Sequence, residues 1–215
     1  MDINIINIIA MFIALLVAII GHEIMHGYLA LYYGDNTAKL LGRLNINPIR
    51  HIDIVGSIIL PLGLFLLNAP FLFGWAKPVP VNIRQVINNG GYTAAIVVSL
   101  AGIAYNLTLA LIAAILIKMA IVPPNGLFGA VFYTLLINLV IYNVILAVFN
   151  LLPIPPLDGS QALGYLSLKL NSSAIPRFFN KIERFGILIL MGILLFLGQF
   201  LFVPIRGLIN ILLGA

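Results

Sequence analysis

Three ionisable side chains crowd into five positions of the stretch IIGHEIMHGY, residues 19–28: His22, Glu23 and His26. Histidines four apart on a helix lie one above the other on the same face, where both imidazoles can converge on one ion. Glu23 sits about 100° around that helix, near enough to touch a water on the ion without ligating it. This H-E-x-x-H spacing carries a specific chemistry: two zinc ligands and a general base that takes a proton from water. The competing reading is a polar cluster that ends an amphipathic helix, with each histidine hydrogen-bonded to a neighbour.

Depth decides between the two. Of 215 residues 62% are hydrophobic and 8% charged, and the mean hydropathy is +1.16, far outside the range of soluble domains. Such a chain is an integral membrane protein, with room for about four to six crossings at roughly 20 apolar residues each. From Ile8, where the uninterrupted apolar run begins, to His22 the helix rises about 21 Å through an apolar layer near 30 Å thick. The cluster is therefore expected inside the hydrocarbon layer, where ionisable groups cost several kcal/mol unless they are paired or hold a metal.

Two histidines leave zinc short of a ligand, since a catalytic site takes three protein ligands and keeps one position open. With no cysteine in the chain, the candidates are His51, Asp2, Asp35, Asp53, Asp158 and Glu183. Asp158 fits best: it follows the fourth apolar segment in FNLLPIPPLDGSQAL, where Pro153, Pro155 and Pro156 force an extended path that can re-aim it into a bundle. Alone it reads as an N-cap for a helix starting at Gly159; beside His22 and His26 it reads as the third ligand. His51 is the rival, but it stands next to Arg50 and Asp53, which suits a loop surface.

The elements that must position these groups are five apolar segments: Ile3 to Leu31, Ile54 to Phe73, Tyr92 to Val122, Leu127 to Leu152 and Phe185 to Val203. Four look like full spans. Nine of the eleven basic residues flank them, Lys39, Arg43, Arg50, Lys77, Arg84, Lys169, Arg177, Lys181 and Arg184. If all are cytoplasmic, the N-terminus lies outside and the site lies near the cytoplasmic side. The second segment then has basic loops at both ends, so it reads as re-entrant, helped by Pro61 and the breaker NAP at 68–70. The N-terminus lacks the basic region of a signal peptide and is expected to be retained. In RLNINPI, apolar Leu44, Ile46 and Pro48 alternate with Arg43, Asn45 and Asn47, which suggests a short strand. The expected fold is an all-α polytopic membrane protein: a bundle of four to five transmembrane helices, one re-entrant segment and a short membrane-associated β-strand region. The scattered basic residues form no patch for nucleic acid.

HEIMH together with NLLPIPPLDG resembles the site-2 proteases, membrane-embedded zinc metalloproteases that cut transmembrane helices. The resemblance extends to GWAKPVPVN at 74–82 and AGIAYN at 101–106, placed as in the compact prokaryotic branch, with Ile103 where that branch usually has proline. It spans nearly the whole chain, 1–215, as one transmembrane metalloprotease domain, and the length leaves no room for the PDZ domain of larger members. The resemblance implies His22, His26 and Asp158 as ligands of one zinc per chain and Glu23 as the base. It also implies a prokaryotic cell membrane and a transmembrane protein as substrate.

Two asparagines complete the expectation. Asn150 is a candidate for substrate positioning or oxyanion contact, with helix packing as the alternative; Asn106 is a candidate for the same role, with interhelical hydrogen bonding as the alternative. Beyond substrate and membrane lipid, a core this small leaves room for a homo-oligomer or a regulatory membrane partner. The rival function is a multi-pass metal or proton transporter built on the same His/Glu/Asp cluster. It is disfavoured because the first helix offers no ionisable residue between Asp2 and His22 as an exit path.

Overall fold

The computed structural model describes residues 3–67, 75–121 and 126–214. Helix α1 runs from Ile3 to Tyr32 and is followed by the short α2, Thr37–Leu40. A 3-10 turn at Pro48–His51 and π-helical turns at Ile54–Ile59 lead into α3, Leu60–Leu66. Then come α4, Ile83–Ser99; α5, Ala101–Lys118; α6, Gly126–Asn150; α7, Asp158–Lys169; α8, Ala174–Ile182; and α9, Gly186–Leu213. Among the described residues four helices are long and apolar enough to cross a membrane: Asn7–Tyr32, Ala101–Lys118, Gly126–Asn150 and the run Ala174–Leu213 that ends in α9.

Small residues let the spanning helices approach closely. Ala10, Ala14 and Ala18 on α1 are buried, as are Ala110, Ala113 and Ala114 on α5, which pack with Leu136, Val140 and Val144 of α6. Between apolar helices in lipid there is no hydrophobic drive to associate, so such close backbone approach supplies the van der Waals contact instead. The alanines of α1 recur every fourth residue, and the same i, i+4 ridge continues through His22 and His26 to buried Ala30. The catalytic candidates thus occupy the ridge that the bundle itself closes over.

The third apolar segment, Tyr92 to Val122, is two elements rather than one. The chain breaks at Leu100, which caps the C-terminus of α4 and opens α5. A kink also interrupts α4 at Gly91, whose φ of 66° is left-handed and costs glycine little. The start of the second segment meets the residues that follow it: Trp75 N–H donates to Gly56 O at 3.2 Å, Lys77 N–H to His51 O at 2.9 Å, and Ser57 Oγ to Trp75 O at 2.9 Å. The breaker at 68–70 lies outside the described residues.

The expected β-strand at Arg43–Asn47 is not there, and no strand occurs among the described residues. Asparagine side chains explain the difference. Asn45 Oδ1 accepts from Asn47 N–H at 2.8 Å, and Asn47 Oδ1 accepts from Ile49 N–H at 3.0 Å, capping the 3-10 turn. Two consecutive side-chain turns occupy the N–H groups a ladder would need. The alternation of polar and apolar residues was the signature of those turns.

Candidate active site

His22 and His26, one turn apart on α1, face Asp158 at the first position of α7. Asp158 Oδ2 lies 3.0 Å from His22 Nε2 and 3.3 Å from His26 Nε2. One ligand atom from each of the three falls within 4.8 Å of the others, a spacing that one metal ion can bridge. Asp158 reaches this point because α7 starts hard against the end of α6: a Cβ on Gly159 would collide with the backbone of Leu151. The proline turn before it is held from the other side, where a Cβ on Gly186 would strike Pro155. Glycine is required at both contacts.

Each imidazole is oriented by its other nitrogen. His26 Nδ1 lies 2.7 Å from Val98 O, an acceptor only, so Nδ1 carries the proton. Val98 O, at the end of α4, also takes the Leu100 N–H of the C-cap, and its second lone pair serves His26. His22 Nδ1 lies 2.6 Å from Asn106 Oδ1, while Asn106 Nδ2 donates to Ala18 O at 3.1 Å. The flat face of the His22 ring rests on Gly102, one turn before Asn106, where any Cβ would run into the imidazole.

With both protons on Nδ1, two bare Nε2 lone pairs and one carboxylate oxygen point at a common centre, and buried Asp158 Oδ2 receives no hydrogen bond. Three acceptors aimed at one buried point are satisfied by a cation between them. Protonating the imidazoles is the other way to satisfy the site. Burial alone would raise the Asp158 carboxyl, but hydrogen bonds from His22 and His26 then outweigh it and hold the group at about 2. The carboxylate is anionic in either case, and metal and protons compete for the same atoms. Two nitrogens and a carboxylate oxygen, with room for one more donor, match the ligand set of catalytic zinc.

Glu23 points elsewhere on α1, toward the extended segment 75–82. Its Oε2 accepts from Val79 N–H at 2.9 Å. Val79 stands between Pro78 and Pro80, which have no N–H, so it is the one backbone donor of the Pro78–Pro80 run. The segment is fixed along its length: Arg43 Nη2 donates to Lys77 O at 2.9 Å and Pro78 O at 3.2 Å, and buried Asp35 accepts from Asn82 N–H at 2.6 Å. Trp75 and Lys77 begin it.

The remaining third-ligand candidates within reach are otherwise engaged. His51 Nε2 pairs with Asn45 O at 2.7 Å, Asp35 also accepts from Thr37 N–H and Oγ1–H, and Asp53 caps Gly56 N–H at 2.8 Å. Asn106 is fully buried and sits behind His22 rather than open to a substrate. Asn150 turns back on its own helix, with Nδ2 donating to Leu146 O at 3.0 Å. Sequence reasoning missed Val98, Val79, Gly102 and Asn143. Of these only Gly102 left a trace, spaced four residues before Asn106 on the same helix face.

A model described as peptidase family M50 matches residues 116–194, a stretch that contains Asp158 but not the His22–His26 pair. The chain is 39% identical over 158 residues to a Bacillus subtilis protein named "Putative zinc metalloprotease YwhC". It is 32% identical over 142 residues to the Mycolicibacterium smegmatis protein named "Putative zinc metalloprotease Rip2". These alignments cover 70% and 66% of this chain and 66% and 51% of the respective relatives' own lengths. No solved structure matches the chain. Residues 116–194 are thus similar to peptidase family M50, and both of these relatives carry the name of zinc metalloprotease.

Proposed function

We propose that this chain is an intramembrane zinc endopeptidase that hydrolyses peptide bonds within or near transmembrane segments of membrane protein substrates. The observation that carries the reading is the convergence of His22 Nε2, His26 Nε2 and Asp158 Oδ2 on one buried point, beside Glu23 and on a membrane-crossing helix. One zinc held by these three residues would supply a Lewis acid that acidifies water and polarises a peptide carbonyl. Glu23 takes the proton of the attacking water and returns it to the leaving amine as the C–N bond breaks. The Val79 N–H on Oε2 fixes the carboxylate and leaves Oε1 for that proton. Asp158 and the two Nδ1–H bonds keep the ligand atoms aimed without further motion.

Substrate chemistry follows from the surroundings. A helical substrate has its carbonyls hydrogen-bonded and covered, so it must unwind locally before attack, and unpaired backbone at membrane depth is tolerated only where protein or water receives it. Asn150, the last residue of α6, remains the candidate to contact the unwound chain. The N-terminus is assigned to the outside of a prokaryotic cell membrane, with the site near the cytoplasmic face, as the flanking lysines and arginines indicate.

The test is Glu23→Gln in detergent-purified protein with a transmembrane substrate. Cleavage should fall by about two to four orders of magnitude while bound zinc stays at the wild-type level. Ordinary cleavage by this variant would remove Glu23 as the base.

A further inference from the structure

We infer that Asn143, on α6, is a positioning residue for the metal site, acting on His22 through Asn106; the inference rests on the zinc reading above. Asn106 and Asn143 are fully buried, and both lie within membrane-crossing helices. Asn106 Nδ2 donates to Asn143 Oδ1 at 2.8 Å, and Asn143 Nδ2 donates to Leu139 O at 2.8 Å. Together with the His22 contact these bonds form a line from α1 through α5 to α6.

The line has a direction. Leu139 O can only accept, so Asn143 must turn its Nδ2 toward it and its Oδ1 toward Asn106. Ala18 O and Asn143 Oδ1 can likewise only accept, so Asn106 must present Nδ2 to them and Oδ1 to His22. His22 must then donate from Nδ1, which leaves Nε2 bare for a metal. Flipping the Asn106 amide would set oxygen against oxygen at two places and push the imidazole proton onto Nε2, blocking the ligand position. Asn143 supplies one of those two penalties, from a residue that touches neither metal nor histidine. In a water-free interior an unpaired polar atom of this kind is costly, so the preference is strongly enforced.

Metal affinity of the full chain, measured for cobalt and zinc by chelator competition, tests this without recourse to cleavage. Asn143→Leu should weaken binding by about tenfold or more, the scale on which outer hydrogen-bond partners act on metal sites. Asn143→Asp, which as the neutral acid keeps an oxygen toward Asn106 and an O–H toward Leu139 O, should bind within a few-fold of wild type. In an Asn106→Ala background Asn143→Leu should cause no further loss, because the route to His22 is already cut. Unchanged affinity in Asn143→Leu, equal loss in the Leu and Asp variants, or full additivity would each overturn the inference. If Asn143→Leu does not fold, the wild type suffices: nitrogen chemical shifts of metal-loaded His22 must place the proton on Nδ1, and a proton on Nε2 overturns it. Failure of wild type to bind metal at all would instead count against the zinc reading.

Discussion

The two halves of the site are held in different ways. On the bundle side, His22 and His26 sit in a seam of α1, α4, α5 and α6, with each ring fixed by a hydrogen bond and His22 also by contact with Gly102. On the loop side, Glu23 is fixed by a single backbone N–H from an extended, proline-flanked segment that is itself tied down by Arg43, Asp35, His51 and Gly56. Ligands that must meet at one point are over-determined. Glu23, which as the proposed base would receive a proton and give it back, has one hydrogen-bond constraint on Oε2.

This contrast can be broken from either side. The largest effect is expected on the bundle side: Gly102→Val places a branched side chain where the His22 ring stands, and metal affinity should fall by about a hundredfold, the upper range for disturbed ligand orientation. Chelator competition reads this directly, and wild-type affinity in that variant would show that the seam yields more easily than its packing implies. On the loop side, Val79→Pro deletes the lone N–H while keeping the extended backbone that its neighbours already adopt. The turnover rate should drop by about tenfold, near the net value of one hydrogen bond to a charged group, with bound zinc unchanged and Val79→Ala close to wild type. Loss of zinc from Val79→Pro would mean that the two halves are not separable. The smallest effect is expected at Asn150, where removing a back-bond to Leu146 O should alter stability by less than about 1 kcal/mol. If Asn150→Ala instead slows cleavage strongly with zinc and stability intact, Asn150 contacts the substrate.

The same contrast explains what could be read from the sequence. The grouping of His22 and His26 with Asp158 was legible because a helix converts spacing into direction and the prolines before Asp158 announced a break in the chain. The four crossings were legible from hydropathy, since each is a long apolar run; the division of Tyr92–Val122 at Leu100 was not, because neither half loses its apolar character there. Val98 and Val79 act through backbone groups, which every residue but proline shares, so residue type carries no signal of their roles. Asn143 reads in sequence as one polar residue among many in an apolar helix; only its distance to Asn106, 37 positions away, reveals a line of hydrogen bonds. The strand expected at Arg43–Asn47 failed for a local reason, because asparagine side chains imitate in sequence the alternation of a half-buried strand.

The central claim is that His22, His26 and Asp158 together hold one zinc, and its most direct test is metal content of the detergent-purified protein beside Asp158→Ala. The account predicts about one zinc per chain in wild type, the stoichiometry of a single three-ligand site, and little or none in the variant. Zinc retained in full without Asp158, or absent from freshly purified folded wild type, would contradict it.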